Sequence, residues 1–106
     1  MVMRKYKLLI MPRAVSDLEN IYDYIEQEHD APAAAQKLMV KIENSFMRLR
    51  DMPESCPPCQ DKILFQKGYR MLVIAGYIAL YTVDNIKKTV TVMRVVHGRQ
   101  DYTRFV

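Results

Sequence analysis

Residues 69–97 read YRMLVIA, Gly76, YIALYTV, DNIKK, TVTVMRVVH. Three runs dense in β-branched and aromatic side chains are separated by one glycine and one polar five-residue stretch. Such side chains suit a pleated, half-buried surface, so the runs predict strands over 69–75, 77–83 and 89–97. Gly76 permits a tight turn or a bulge, and Asp84–Lys88 makes a polar hairpin connection. The three strands therefore form a meander, which ends at Gly98.

N-terminal to the meander, residues 53–62 (PESCPPCQDK) are the only Pro-rich stretch and read as a connection within one domain. Before it, Leu38, Ile42, Phe46 and Leu49 recur at helical spacing. They predict a helix from about Pro32 to the Met52-Pro53 step, where proline disfavours helix at the preceding residue. Leu18, Ile21, Tyr22 and Ile25 predict another helix, starting at Pro12 or at the capping box Ser16-Asp17-Leu18-Glu19 and ending near His29-Asp30. On it, Asp17, Glu19, Asp23 and Glu26 are expected to face away from the core. A first strand is expected over residues 4–11. The short link at 29–32 makes the helices an antiparallel hairpin. The expected architecture is α+β, in the order β-α-α-β-β-β: a twisted, mainly antiparallel sheet with a helical hairpin on one face and the other face partly open. Residues 1–106 are expected to be one domain.

The composition narrows the function. Half the residues are apolar, enough for one core. Residues 1–61 carry eight Lys/Arg against ten Asp/Glu, whereas residues 62–106 carry eight against two. A basic C-terminal part suits nucleic acid or an acidic protein segment as partner. No apolar run approaches a membrane span and the start does not read as a signal peptide, so no membrane partner and a cytoplasmic location are expected. Cys56-Pro57-Pro58-Cys59 has C-x-x-C spacing. It lies in a connection, however, and only His29 and His97 are available to complete a metal site, so a reduced pair with no metal and no cofactor is expected.

The element order, the helix text from Ala14 to Ile25 (AVSDLENIYDYI) and the ending from Met93 to Tyr102 (MRVVHGRQDY) resemble the RelE/ParE toxin superfamily of type II toxin–antitoxin systems. Nearly the whole chain takes part, and the details are closer to the ParE and plasmid-stabilisation branch. The resemblance implies a cognate antitoxin with an acidic segment that wraps and blocks the toxin. It also implies operator DNA contact only through that complex, and growth arrest when the toxin is free. The ParE-like route is poisoning of DNA gyrase. The RelE-like route is cleavage of mRNA on the ribosome, and a degenerate, non-toxic antitoxin-binding domain is the third possibility.

Metal-free RNA cleavage needs a base for the 2′-hydroxyl, a cation for the phosphorane and an acid for the leaving oxygen. His97 has a suitable pKa range and Arg99 can clamp a phosphate bidentately. By resemblance, Arg99 and Tyr102 match catalytic positions of the nuclease branch. The candidate catalytic set is thus His97, Arg99 and Tyr102, with Arg70, Arg94 and Arg99 as target-binding cations. Arg94 has a bland alternative, pairing with a helix carboxylate such as Glu19 or Asp23. The nuclease pattern is incomplete: after Gly76-Tyr77 stands Ile78, and after Gly68-Tyr69 the arginine, Arg70, comes one strand early. This favours the gyrase route. A nuclease would bring His97, Arg99 and a further cation together on an open sheet face. A toxin of either kind would show an apolar groove flanked by basic residues for its antitoxin.

Overall fold

A computed structural model describes residues 5–28 and 30–99. In chain order these form β1 (Lys7–Ile10), α1 (Pro12–Glu28), α2 (Pro32–Arg48), α3 (Lys62–Gln66), β2 (Arg70–Ile74), β3 (Tyr77–Asp84) and β4 (Thr89–His97). The sheet order is β1-β4-β3-β2. The meander is antiparallel, and β1 adds to β4 in parallel, from Lys7 against Thr89 to Ile10 against Val92.

Local chemistry explains the boundaries. Helix α1 starts at Pro12, whose fixed φ suits a first turn, so the Ser16 capping box goes unused. Helix α2 stops at Arg48, before the expected Met52. Ala75 and Gly76 both have positive φ, 49° and 88°, in a two-residue turn between the paired Ile74 and Tyr77. This turn follows the right-handed twist of the strands it joins. Gly98 is required for another reason. Its N–H donates to the Gly76 carbonyl at 2.8 Å, and an added Cβ would lie 2.7 Å from that oxygen. The end of β4 is thereby seated on the tip of the β2–β3 hairpin.

Helix α3 follows the expected connection, in residues to which no element was assigned. Asp61 caps it by accepting from the Leu64 N–H at 3.0 Å, and Gly68, with φ 81°, ends it. Its Leu64, with Cys59 and Tyr69, packs on Ile78, Leu80 and Val96, on the sheet face away from the long helices. The expected open face is thus partly covered by the chain's own 59–69 segment. The larger cluster lies on the other face, where Ile42, Phe46 and Leu49 of the hairpin and the residue after it meet Leu72, Tyr81, Val90 and Val92.

The connection before α3 wraps the β2 edge. Cys56 packs against the larger cluster, Pro58 bridges to Arg70, and Cys59 enters the smaller cluster. The two cysteines therefore belong to opposite sides of the sheet, and both thiols are free. Burial, with help from Asp61, raises the Cys59 pKa.

Candidate functional site

The parallel partner β1 ends at Ile10, and among the described residues no strand pairs with that edge of β4 beyond Val92. Helix α1 begins there and runs alongside. Asp17, one turn in, takes the place of the missing strand: its Oδ2 accepts from the Val95 backbone N–H at 2.9 Å. The same carboxylate accepts from Arg94 Nε and Nη2, both at 2.8 Å. The hydrogen bonds to Asp17 raise the Arg94 pKa, so the guanidinium stays charged. Both side chains are largely buried, at 15% and 13% exposure. Asp17 therefore faces the sheet, contrary to the outward position expected of it, and it is the partner of Arg94 in place of Glu19 or Asp23. A cleft of about 740 Å³ opens beside the pair, with Asn20, Tyr24, Tyr77 and His97 among its lining residues.

His97 ends β4. Its ring meets Tyr77 edge-on with centroids 5.5 Å apart, and its Nδ1 accepts from the Arg99 backbone N–H at 3.2 Å. Neutral His97 in this arrangement therefore carries its proton on Nε2. His97 and Arg99 also share a smaller cleft of about 590 Å³ with Val73, Gly76 and Ile78. Tyr102 lies outside the described residues, as does His29.

Arg70 is elsewhere. It shares the helix-side face of β2 with Leu72 and Ile74, and its guanidinium reaches back into the connection. Nη1 donates to the Cys56 carbonyl at 2.6 Å, and Nη2 to Glu54 Oε2 at 3.2 Å. Across the sheet, Arg70 aligns with Tyr81, whereas His97 aligns with Tyr77. Four residues along and two strands across put them roughly 16 Å apart.

The structure thus brings together His97, Arg99 and, at one side, Arg94. It sets Arg70 apart and occupies both strand arginines with protein acceptors. Asp17 is the functional-looking residue that sequence reasoning misplaced. Its signal was its position in the Ala14-x-x-Asp17-Leu18 text, a polar residue on the flank next to the core stripe. Among the described residues, no group of three or more metal-ligating side chains occurs, and no helix is long and apolar enough to cross a membrane.

The family described as ParE toxin of type II toxin–antitoxin system, parDE, matches residues 8–102. No curated protein matches in sequence. Among solved structures, the chain is similar to one of the chromosomal ParDE toxin–antitoxin system from P. aeruginosa, with 21% identity, TM-score 0.69, 89% of this chain and 97% of that one covered. It is also similar to one of the toxin–antitoxin complex RelBE2 from Mycobacterium tuberculosis, with 21% identity, TM-score 0.61, 88% and 98% covered. At these identities the likeness establishes a shared fold.

Proposed function

The chain belongs to the ParE toxin family of type II toxin–antitoxin systems, and on that premise we propose that, when free of a cognate antitoxin, it arrests growth by poisoning DNA gyrase. The observation that supports gyrase over RNA cleavage is the Asp17–Arg94 pair. A catalytic cation must offer uncompensated positive charge to a phosphate, and a carboxylate bound through two N–H donors cancels most of that field. Arg70 lies too far from His97 to replace it. Among the described residues, His97 and Arg99 then supply an acid–base group and one cation, short of the set that the cleavage chemistry needs. The site then acts by binding, and the exposed Arg99 is its cation toward the target.

The antitoxin is a partner with an acidic segment, and operator DNA is met only through the complex. That both similar structures come from toxin–antitoxin systems supports an antitoxin partner. The experiment is induction of the chain with and without the open reading frame beside its gene, reading plasmid supercoiling and mRNA integrity. The expected result is growth arrest with blocked supercoiling and intact mRNA. Codon-phased mRNA cuts that vanish in His97→Ala would reject the gyrase route, and unimpaired growth would mark a degenerate domain.

A further inference from the structure

Two successive backbone N–H groups fold the chain over at the end of β4. The Gly98 N–H donates to the Gly76 carbonyl at 2.8 Å, and the Arg99 N–H donates to His97 Nδ1 at 3.2 Å. The two acceptors differ in kind. A carbonyl accepts at any pH. An imidazole nitrogen accepts only while unprotonated, and imidazole is the side chain that ordinarily changes charge between about pH 5 and 8. The first bond is a fixed anchor, and a proton can switch off the second. The ring is held for this use: it stands edge-on to Tyr77 with centroids 5.5 Å apart, which limits where Nδ1 points. The ionisable groups lining the two clefts that His97 shares are Asp17 and Tyr24 from α1, Tyr77 from β3, Arg94 from its own strand and Arg99 beyond it. Asp17 and Arg94 pair with each other. Phenols are neutral in this range, and burial raises the Tyr77 pKa further. Among these groups Arg99 is left to feel a charge on His97, and two neighbouring cations repel.

We propose that His97 is a positioning residue for Arg99, acting neither as acid nor as base, and that its protonation frees Arg99 and weakens the grip on the target. The proposal rests on the reading of Arg99 as the cation toward the target, and adds what aims that cation and how pH governs it. With His97 neutral, the Arg99 backbone is tied one residue past the Gly98 anchor. Its side chain therefore leaves the chain in a fixed direction, beside the cleft of Val73, Gly76 and Ile78. A base working through Nδ1 would have to give up that tie. Protonation of Nδ1 sets one N–H against another, so the bond opens while Gly98 stays seated on Gly76. The clasp is whole when the imidazole is neutral and is lost as pH falls through its titration.

The test has two arms. In the purified wild-type chain, amide hydrogen exchange followed by NMR should show the Arg99 protection factor falling by about fivefold from pH 8 to pH 5.5, with Gly98 unchanged. In the second arm, binding of the full chain to DNA gyrase is measured by calorimetry at pH 8 and pH 6. Wild type should bind about threefold more weakly at the lower pH, and Arg99→Ala, which has nothing left to aim, should show no such difference. His97→Gln and His97→Ala should each weaken binding about fivefold at pH 8. His97→Asn sets a non-titrating oxygen near the place of Nδ1, so it should recover most of that loss and respond little to pH. His97 is exposed, so these variants leave the core untouched. Arg99 protection that stays constant with pH would overturn the proposal, and so would His97→Asn binding as weakly as His97→Ala. A chain that shows the exchange change but does not bind gyrase would bear out the clasp and sink the gyrase reading.

Discussion

Arg94 and Arg70 are both strand arginines, yet the molecule uses them differently. Arg94, at the β4 edge, meets Asp17 where both side chains are largely buried, and that carboxylate also satisfies a strand N–H. Arg70, on the β2 edge, meets Glu54 with 22% and 51% of the two side chains exposed, and its shorter bond goes to the Cys56 carbonyl. A largely buried carboxylate that serves three donors fixes the angle of a helix against a sheet. A solvated pair mainly tethers a loop. The presence of an ion pair is therefore a poor measure of its worth; burial and the number of donors that depend on it decide.

The largest expected effect is at Asp17. Asp17→Ala leaves Arg94 and the Val95 N–H without their acceptor and should cost about 2–3 kcal/mol in a denaturant melt. A double-mutant cycle on Asp17 and Arg94 should give a coupling of about 2 kcal/mol, against under about 0.5 for Glu54 and Arg70. Equal couplings would break the comparison.

Next comes Tyr81, the buried anchor of the connection that Arg70 holds from outside. Its hydroxyl donates to the Pro53 carbonyl at 2.9 Å. Tyr81→Phe should cost about 1–1.5 kcal/mol at neutral pH. Burial also raises the Tyr81 pKa above its ordinary value of 10.0. The unfolded chain therefore ionises first. The stabilisation is whole below that value and is lost as pH climbs toward the folded pKa, by about 1.4 kcal/mol at pH 11. The variant lacks that alkaline loss, so its deficit should shrink between pH 7 and pH 11. A deficit constant with pH would show that the hydroxyl is not held neutral by burial.

Arg70→Ala should cost about 1 kcal/mol, and Glu54→Ala under about 0.5, because the carbonyl bond outlasts the loss of the carboxylate. The smallest effect is chemical. A maleimide should label half-buried Cys56 well before Cys59, which is buried and has a raised pKa. Mild oxidation should leave two thiols, since the pair straddles the sheet edge; ready formation of a Cys56–Cys59 disulfide would contradict that placement.

Much of this molecule was legible in advance. The three strands of the meander, the two long helices and the turn at Gly76 follow from periods of 2 and 3.6 and from backbone freedom at one residue, all of which are local. Helix α3 was legible too, from Asp61 and Gly68, but five residues carry too little periodicity to announce themselves. The His97-Gly98-Arg99 ending pointed to the right end of β4, without showing that Gly98 is needed to approach the Gly76 carbonyl.

The sequence alone determined the four strands and the two long helices, their order and the concentration of cations in the C-terminal part of the chain. The tertiary structure decided that β1 joins β4 in parallel and ends early, that Asp17 fills the edge so exposed, and that Arg70 turns back to its own connection. It also decided that residues 59–69, the end of the expected connection and the short helix after it, cover part of the second face. Periodicity reports which side of an element is apolar, through contacts a few residues apart. Which charges meet depends on strand order and on where a neighbour stops, and those are set by contacts between Asp17 and Arg94, 77 positions apart in the chain.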